Sequence, residues 1–270
     1  MAKKKIKSIP ITTLLFIAIP VFVVLVIFLK LATSKTEYVY AKVKISQGFW
    51  WAKAVKPDIW FTSALEGGAI EKNLLGKPIA EVLEVRYYNT DLGSINEEKY
   101  DIYLSLKLAA DYNDRTQKYT YKRSILAIGS PIDLEIPGTQ ITGTVIDISE
   151  QEFDEEYVEK IVYITKKFAY PWEFDAIIIG DKYFDGTEFV FEVLDKYQTK
   201  TAAISSGYYG TTTSGTTDTI SYIVVKAKVK AKLKNNKLFF GEERTIRSGN
   251  LLTVATDNYS FAGYIIGRVE

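Results

Sequence analysis

Five lysines lie two residues apart in the C-terminal part of the chain and alternate with apolar residues. The lysines are Lys226, Lys228, Lys230, Lys232 and Lys234, and the apolar residues are Val225, Ala227, Val229, Ala231 and Leu233. Side chains on one face of a β-strand recur at every second residue, about 6.6 to 6.8 Å apart, so the spacing predicts a cationic face on a strand whose other face is buried. Such a face is a candidate site for an anionic envelope polymer or for lipid headgroups. The alternative is that the lysines protect an exposed strand from edge-to-edge pairing.

A second candidate binding site is the polar segment of residues 205–219, which contains Tyr208 and Tyr209. Exposed tyrosines among serine, glycine and threonine are typical of adaptable binding loops. The alternative is an insertion that connects two strands and binds nothing.

The chain contains no histidine and no cysteine. Ser-His-Asp and Cys-His catalysis and the usual zinc sites are therefore excluded. Paired carboxylates, the design that glycosidases use, are the one common enzyme chemistry that stays open. We therefore predict a protein without catalysis, metal or cofactor, and the alternative is a carbohydrate-active enzyme that uses paired carboxylates.

Six acidic residues crowd the middle of the chain. They are Glu150, Glu152, Asp154, Glu155, Glu156 and Glu159. Their spacing lacks the Asp, Gly and Glu pattern of an EF-hand calcium loop, which favours a solvated linker between two domains.

The formal net charge of +1 is unevenly distributed along the chain. Residues 1–34 hold five lysines and no acidic residue, which leaves 29 basic and 33 acidic residues in the remainder. An acidic excess is opposite to the electrostatic signature of nucleic-acid binding, so no nucleic-acid partner is predicted.

The N-terminal part of the chain has the pattern of a membrane anchor. Residues 11–29 are 19 consecutive uncharged residues, and a helix of that length spans about 28 Å, close to the thickness of the hydrocarbon core. Four lysines before residue 8 favour a cytoplasmic N-terminus and place the rest of the chain outside the cytoplasm. The alternative is a signal peptide that is cleaved after the small residues 32–34.

An internal repeat follows the predicted anchor. Residues 129–146 align with residues 249–266 at a constant offset of 120, and the Glu-Val-Leu segments at 81–83 and 192–194 align at an offset of 111. A third match, of residues 58–61 with residues 181–184, has an offset of 123 and places Pro57 against Gly180. Similar segments in the same order indicate a duplication. We predict a tail and anchor at 1–34 and two β domains, at 36–150 and 151–270.

Both predicted domains are all-β, because short β-rich runs are broken by Gly, Pro, Asn and Asp and no long helical pattern follows residue 33. Period-two alternation is clearest in residues 102–108 and 223–233. Gly143 and Gly263, just before the last apolar run of each copy, suggest a positive φ or a close approach of backbone. The expected architecture is one transmembrane helix followed by two tandem β-barrel-like or β-sandwich domains.

Three blocks carry a family resemblance. They are Pro-Trp-x-x-Asp-Ala-Ile-x-x-Gly-Asp at residues 171–181, Ile-Gly-Ser-Pro-Ile-x-Leu at 128–134 and Ile-x-Gly-x-Val-Ile-x-Ile at 141–148. With the basic start and single span, they resemble a family of uncharacterised bacterial signal-anchored membrane proteins that is classified only as a domain of unknown function, here in two tandem copies. The resemblance implies a fold and a location, and it supplies no functional residues.

The predicted function is that of a membrane-anchored extracytoplasmic scaffold, adaptor or binding protein of the cell envelope. Its expected partners are the lipid bilayer, through residues 11–29, and an anionic envelope polymer or a membrane protein.

Protease added to intact cells is expected to degrade the chain beyond Lys35 and to spare the N-terminus, because the bilayer shields the cytoplasmic tail. Immunoblotting with a tag at each end checks this, and a cytoplasmic protein serves as the control for cell integrity. Recovery of a soluble secreted form that begins near Lys35 would contradict the anchor.

Overall fold

A computed structural model of the chain describes residues 19–23, 37–45, 57, 59–89, 99–201 and 220–270. Met1–Glu37 and Tyr38–Glu270 are separate compact units. In the first unit, residues 19–23 are helical and exposed. Within the described ranges, no helix combines the length and the apolar character needed to cross a bilayer. Most of the predicted span, residues 11–29, lies outside these ranges, so the anchor stays a prediction.

The fold of the second unit is mostly β, as the sequence predicts, with two sheets of which one is nearly barrel-shaped. The first sheet contains β1 (Glu37–Ile45), β2 (Ile70–Lys72), β3 (Pro78–Asn89), β4 (Tyr100–Asn113), β5 (Lys118–Tyr121), β6 (Ser124–Leu126), β7 (Pro131–Ile136) and β8 (Thr139–Ser149). Its strand order is β2-β3-β4-β1-β8-β7, and β5 pairs with β4 and β6.

The second sheet contains β9 (Tyr157–Ala169), β10 (Lys182–Phe184), β11 (Phe189–Thr201), β12 (Ile220–Lys234), β13 (Lys237–Phe240), β14 (Arg244–Thr245) and β15 (Ile265–Val269). In this sheet β12 pairs with β11, β13 and β9, and β9 also pairs with β15. A short helix precedes the second strand of each sheet, at Ile59–Ser63 and at Pro171–Ala176.

The two sheets repeat one strand order. The path β2-β3-β4-β1-β8 of the first sheet corresponds to the path β10-β11-β12-β9-β15 of the second. Each sheet also has a bulge at the same place, after Val82 in β3 and after Val193 in β11, which agrees with the offset of 111. The predicted domain ranges 36–150 and 151–270 stay predictions, because Tyr38–Glu270 form one compact unit.

The offset of 123 for the third match is wrong. The amide of Gly68 donates to the carbonyl of Val82 at 2.7 Å, and the amide of Gly180 donates to the carbonyl of Val193 at 2.8 Å. Gly68 is therefore the counterpart of Gly180, at an offset of 112, and Pro57 is not. The sequence match failed because it compared apolar residue types, whereas the hydrogen-bond register aligns β2 with β10.

The alternating runs form the cores of both sheets. Ile102, Leu104, Leu106 and Leu108 of β4, and Ile223, Val225, Ala227, Val229 and Ala231 of β12, are fully buried. Tyr88 and Tyr103 of the first sheet pack within the hydrophobic cluster of the second. Burial of apolar area stabilises a fold by about 25 cal/mol per Å², so the two sheets share part of their stabilisation.

The two predicted structural glycines serve different needs. Gly143 is buried, and a β-carbon there would lie 2.9 Å from the carbonyl oxygen of Lys44 and closer still to the side chain of Val43. Gly263 is exposed with a φ of +73°, and nothing lies within 4 Å of a β-carbon at that position. Gly143 therefore permits a close approach of strands, and Gly263 permits a left-handed backbone.

Gly143→Ala is expected to lower the free energy of unfolding by about 3 kcal/mol, because the new methyl group meets the backbone of a neighbouring strand. Gly263→Ala is expected to lower it by only about 1 kcal/mol, the strain of a left-handed alanine. Urea denaturation followed by circular dichroism measures both. A larger loss for Gly263→Ala than for Gly143→Ala would contradict this assignment.

Candidate functional site

The junction between the two sheets contains a cleft of about 950 Å³. One wall is the segment 62–67 with residues 83–87 of β3, and the opposite wall is the connection 152–157 with the turn between β10 and β11. Charged and aromatic side chains from both sheets line it, so its shape depends on how the sheets are held together.

Four charged side chains tie the sheets together at the base of the cleft. Lys42 of β1 lies 2.6 Å from Glu155 and 2.5 Å from Glu242, and Lys232 of β12 contacts the same two carboxylates. The two lysines are only 4% and 5% exposed. Each sheet supplies one lysine and the two charges of each sign balance, so this charged tetrad is a neutral cross-link between the sheets. The pairing of β1 with β8 shifts register between Lys42 and Val43. Such a β-bulge changes the direction in which the neighbouring side chains point.

The charged tetrad controls the ionisation of Glu155. Burial favours the neutral acid, but hydrogen bonds from Lys232 and Lys42 outweigh burial and lower the pKa of Glu155 to about 2. The same contacts raise the pKa of Lys232 although burial opposes its charge. Both groups therefore stay charged around neutral pH.

A second tie joins β3 to the turn between β10 and β11. The carboxylate of Asp185 is fully buried, and it accepts hydrogen bonds from Arg86 Nη1 and from the hydroxyl of Tyr88, both at 2.8 Å. Its other oxygen accepts from the amides of Thr187 and Glu188, both at 3.0 Å. The amide of Tyr87 donates to the carbonyl of Asp185 at 2.7 Å. Every lone-pair direction of this buried charge is thus used, which compensates its desolvation.

The guanidinium of Arg86 also forms part of the cleft wall. It lies 5.0 Å from the ring centroid of Tyr157 and pairs with Glu84 and Glu188. Although burial opposes the charge, the hydrogen bond to Glu84 and the charge of Asp185 raise the pKa of Arg86. The Arg86 side chain is therefore held in place by both sheets.

Three carboxylates in the cleft remain open to a ligand. Glu66, Glu152 and Asp154 are exposed and line the cleft, and within the described part of the chain none of them forms an ion pair. Within residues 150–159, Glu152 and Asp154 are exposed, as a solvated linker would have them, whereas Glu155 is half-buried and pairs with Lys42 and Lys232. The local sequence does not reveal these two partners.

The predicted cationic face lies opposite carboxylates. Lys228 is 3.2 Å from Glu192 and 3.7 Å from Glu159, and Lys230 pairs with Glu188. Lys232 belongs to the buried tetrad, and Lys234 is 2.9 Å from Asp147. Lys226 is half-buried. These ion pairs compensate most of the positive charge, and binding of an anionic polymer by the lysines stays a prediction.

Tyr208 and Tyr209 lie outside the described residues, so the structure does not bear on the predicted binding loop. Sequence reasoning missed Lys42, Arg86 and Asp185, which are the residues that shape the cleft. The available signal was the Asp-Gly pair at 185 and 186, since this dipeptide is typical of a hairpin turn.

A comparison with protein-family models found no match, and searches of curated proteins and of solved structures found none either. The resemblance to a signal-anchored family therefore stays a prediction. In the described part of the chain, no group of three or more acidic side chains is arranged to hold a metal ion.

The free energy of unfolding is expected to fall as the pH drops from about 4.5 towards 2. Glu155 has a pKa of about 2 in the folded chain against 4.5 ordinarily, so its stabilisation is complete above pH 4.5 and is lost as it becomes protonated. A shift of this size corresponds to about 3 kcal/mol. Thermal unfolding across this pH range is the measurement.

Glu155→Gln is expected to be less stable at neutral pH and to show a shallower fall of stability with acid. Glu135→Gln, at an exposed position on β7, is the matched control and should follow the wild type. Identical pH slopes for Glu155→Gln and the wild type would show that the tetrad does not stabilise the junction.

Proposed function

We propose that the chain is a non-catalytic scaffold, adaptor or binding protein of the cell envelope that uses the cleft between its two sheets as its binding surface. In this proposal residues 11–29 anchor it in the membrane as a single span, and its two tandem β-barrel-like domains lie outside the cytoplasm.

The observation that carries the proposal is the cleft with its fixed walls. Ligand sites are usually concave and largely preformed, and rigid walls lower the entropy lost on binding. Here the charged tetrad and the buried Asp185 hold both walls before any ligand arrives.

The cleft chemistry favours a partner with positive charge. The cationic groups of the walls, Lys42 and Arg86, already pair with carboxylates. Among the described residues, Glu66, Glu152 and Asp154 form no ion pair with a basic side chain. Phe153 and Tyr157 add aromatic surface, although Lys42 already lies over the ring of Phe153 and Arg86 over the ring of Tyr157. A basic segment of a membrane protein partner fits this combination.

The rival function, a carbohydrate-active enzyme, keeps some support because the cleft combines carboxylates with aromatic rings. A glycosidase acid needs a raised pKa and a free carboxyl group. Glu155 has a lowered pKa and Glu84 is paired with Arg86, so neither suits that role. Glu66, Glu152 and Asp154 are the remaining candidates in the cleft.

A photo-crosslinking amino acid in place of Ser105, which lines the cleft, is expected to form a discrete adduct with a protein partner in intact membranes. Adding Glu152→Lys and Asp154→Lys should reduce that adduct about tenfold, because like charges repel across an interface. Adding Glu135→Lys, an exposed position outside the cleft lining, should leave it unchanged.

Equal adduct yields from all three proteins would rule out the acidic cleft as the binding surface. Release of sugar products from envelope polysaccharide by the purified chain, abolished by Glu66→Gln, would instead favour the enzyme.

A further inference from the structure

The turn between β10 and β11 shows how one repeat of this chain docks on the other. This docking tip, residues 185–188, covers the outer face of β3, where Glu84, Arg86 and Tyr88 point. The tip and other residues of the second half of the chain, Tyr157 against Arg86 and Phe240 against Tyr88, leave Arg86 and Tyr88 only 7% and 3% exposed. We call these three residues of β3 the acceptor face of the first sheet.

The first sheet carries a tip of the same construction between β2 and β3, at residues 73–77. Asn73 Oδ1 accepts from the amides of Leu75 and Lys77 at 3.0 and 2.9 Å, as Asp185 Oδ1 accepts from two amides in the docking tip. The following two residues are Leu74 and Leu75, which are 106% and 91% exposed. Two adjacent exposed leucines at a hydrogen-bonded turn form an apolar patch, and an exposed apolar patch is a candidate interaction surface.

The second sheet in turn carries an acceptor face that no tip covers within the described part of the chain. At the offset of 111, the counterparts of Glu84, Arg86 and Tyr88 are Asp195, Tyr197 and Thr199 of β11. The hydroxyl of Tyr197 donates to Asp195 at 2.5 Å, as Arg86 Nε donates to Glu84 at 2.9 Å. Tyr197 is 50% exposed and Thr199 is also exposed.

We propose that the partner of these two surfaces is a second copy of this chain, with the tip at residues 73–77 of one copy docked on Tyr197 and Thr199 of the next. Among the residues that the structure describes, the first sheet has an exposed tip and the second sheet has an exposed acceptor face. A contact between different surfaces of identical chains is head-to-tail and generates rings or filaments.

The tip and the acceptor face that are exposed differ from their counterparts inside the chain in a matching way. Inside the chain, Asp185 of the tip pairs with Arg86 of the acceptor face. At the open surfaces a neutral residue stands at both positions, Asn73 on the tip and Tyr197 on the acceptor face. Docking would therefore bury no unpaired charge at these two positions, and an unpaired buried charge is a large cost in a mismatched interface.

The proposed contact between two copies is less close than the contact between the docking tip and β3 within one chain. A β-carbon at Gly186 would lie 2.6 Å from the carbonyl oxygen of Val85, so the docking tip touches backbone. The open tip has Leu74 at the corresponding position and is five residues long instead of four. Its leucines would therefore meet the ring of Tyr197 through side-chain packing. Leu74, Leu75 and Tyr197 are absent from the cleft lining, so the inference is independent of the proposed function.

Single cysteines test the contact directly, because the native chain has none. Full-length Leu75→Cys is mixed with full-length Tyr197→Cys in detergent and oxidised mildly. A disulfide-linked dimer is expected from the mixture and not from either variant alone, and a chain that carries both cysteines should form a ladder of multimers. Leu251→Cys, at a position beside β15 that is 60% exposed, replaces Tyr197→Cys as the control.

Adding Leu74→Asp to the chain with both cysteines should abolish the ladder, because a buried carboxylate would have no partner. Mixed dimers no more abundant than with Leu251→Cys would overturn the proposal. Leu75→Cys that links to itself as readily as to Tyr197→Cys would also overturn it, since that result indicates a symmetric contact between tips.

Discussion

The buried carboxylate of Asp185 is the interaction on which the arrangement of the two sheets depends. It lies in the second sheet and accepts two of its hydrogen bonds from side chains of the first. Removing one partner of such a buried pair typically costs 3–5 kcal/mol, which is a large fraction of the stability of a domain. The shared hydrophobic cluster, the charged tetrad and the cleft all require the relative position of the sheets that this carboxylate maintains.

The sequence predicts the interior of each sheet well and the junction poorly. Residues 102–108 and 223–231 alternate, so the burial of every second residue from Ile102 and from Ile223 follows from period two. Tyr103 lies between these positions and is buried as well, because it packs in the hydrophobic cluster of the second sheet. The outward faces of such strands carry Lys42, Arg86 and Lys232. A basic residue that is exposed to water and one that is covered by a second sheet give the same alternating sequence pattern. Asp185 is 99 residues from Arg86, and Glu242 is 200 residues from Lys42. Glu155 is 77 residues from Lys232, so local periodicity carries no information about these pairs.

The internal repeat of the sequence predicts structural correspondences that local periodicity does not. The offset of 111 is visible in the sequence and agrees with the hydrogen-bond register of β3 and β11. The offset of 120 holds at Gly129 and Gly249 but not at the end of the match, because the amide of Gly129 donates to the carbonyl of Val145 and the amide of Gly249 to the carbonyl of Ile266, which is an offset of 121. The offset of 123 failed because residue types were compared without the turn geometry at Gly68 and Gly180. Positions that differ between the repeats are also informative: Arg86 and Tyr197 occupy one place in the fold, and only the first is covered by a neighbouring sheet.

The charged tetrad also limits how the sequence can vary. Lys42 and Lys232 share Glu155 and Glu242, so replacing any one of them leaves a surplus charge in a buried place, whereas replacing a lysine and a glutamate together preserves neutrality. Energetic coupling between such neighbours is typically 0.5–3 kcal/mol. Single substitutions at these positions should therefore be rare among descendants of this sequence, and residues 42, 155, 232 and 242 should be inherited as a correlated set.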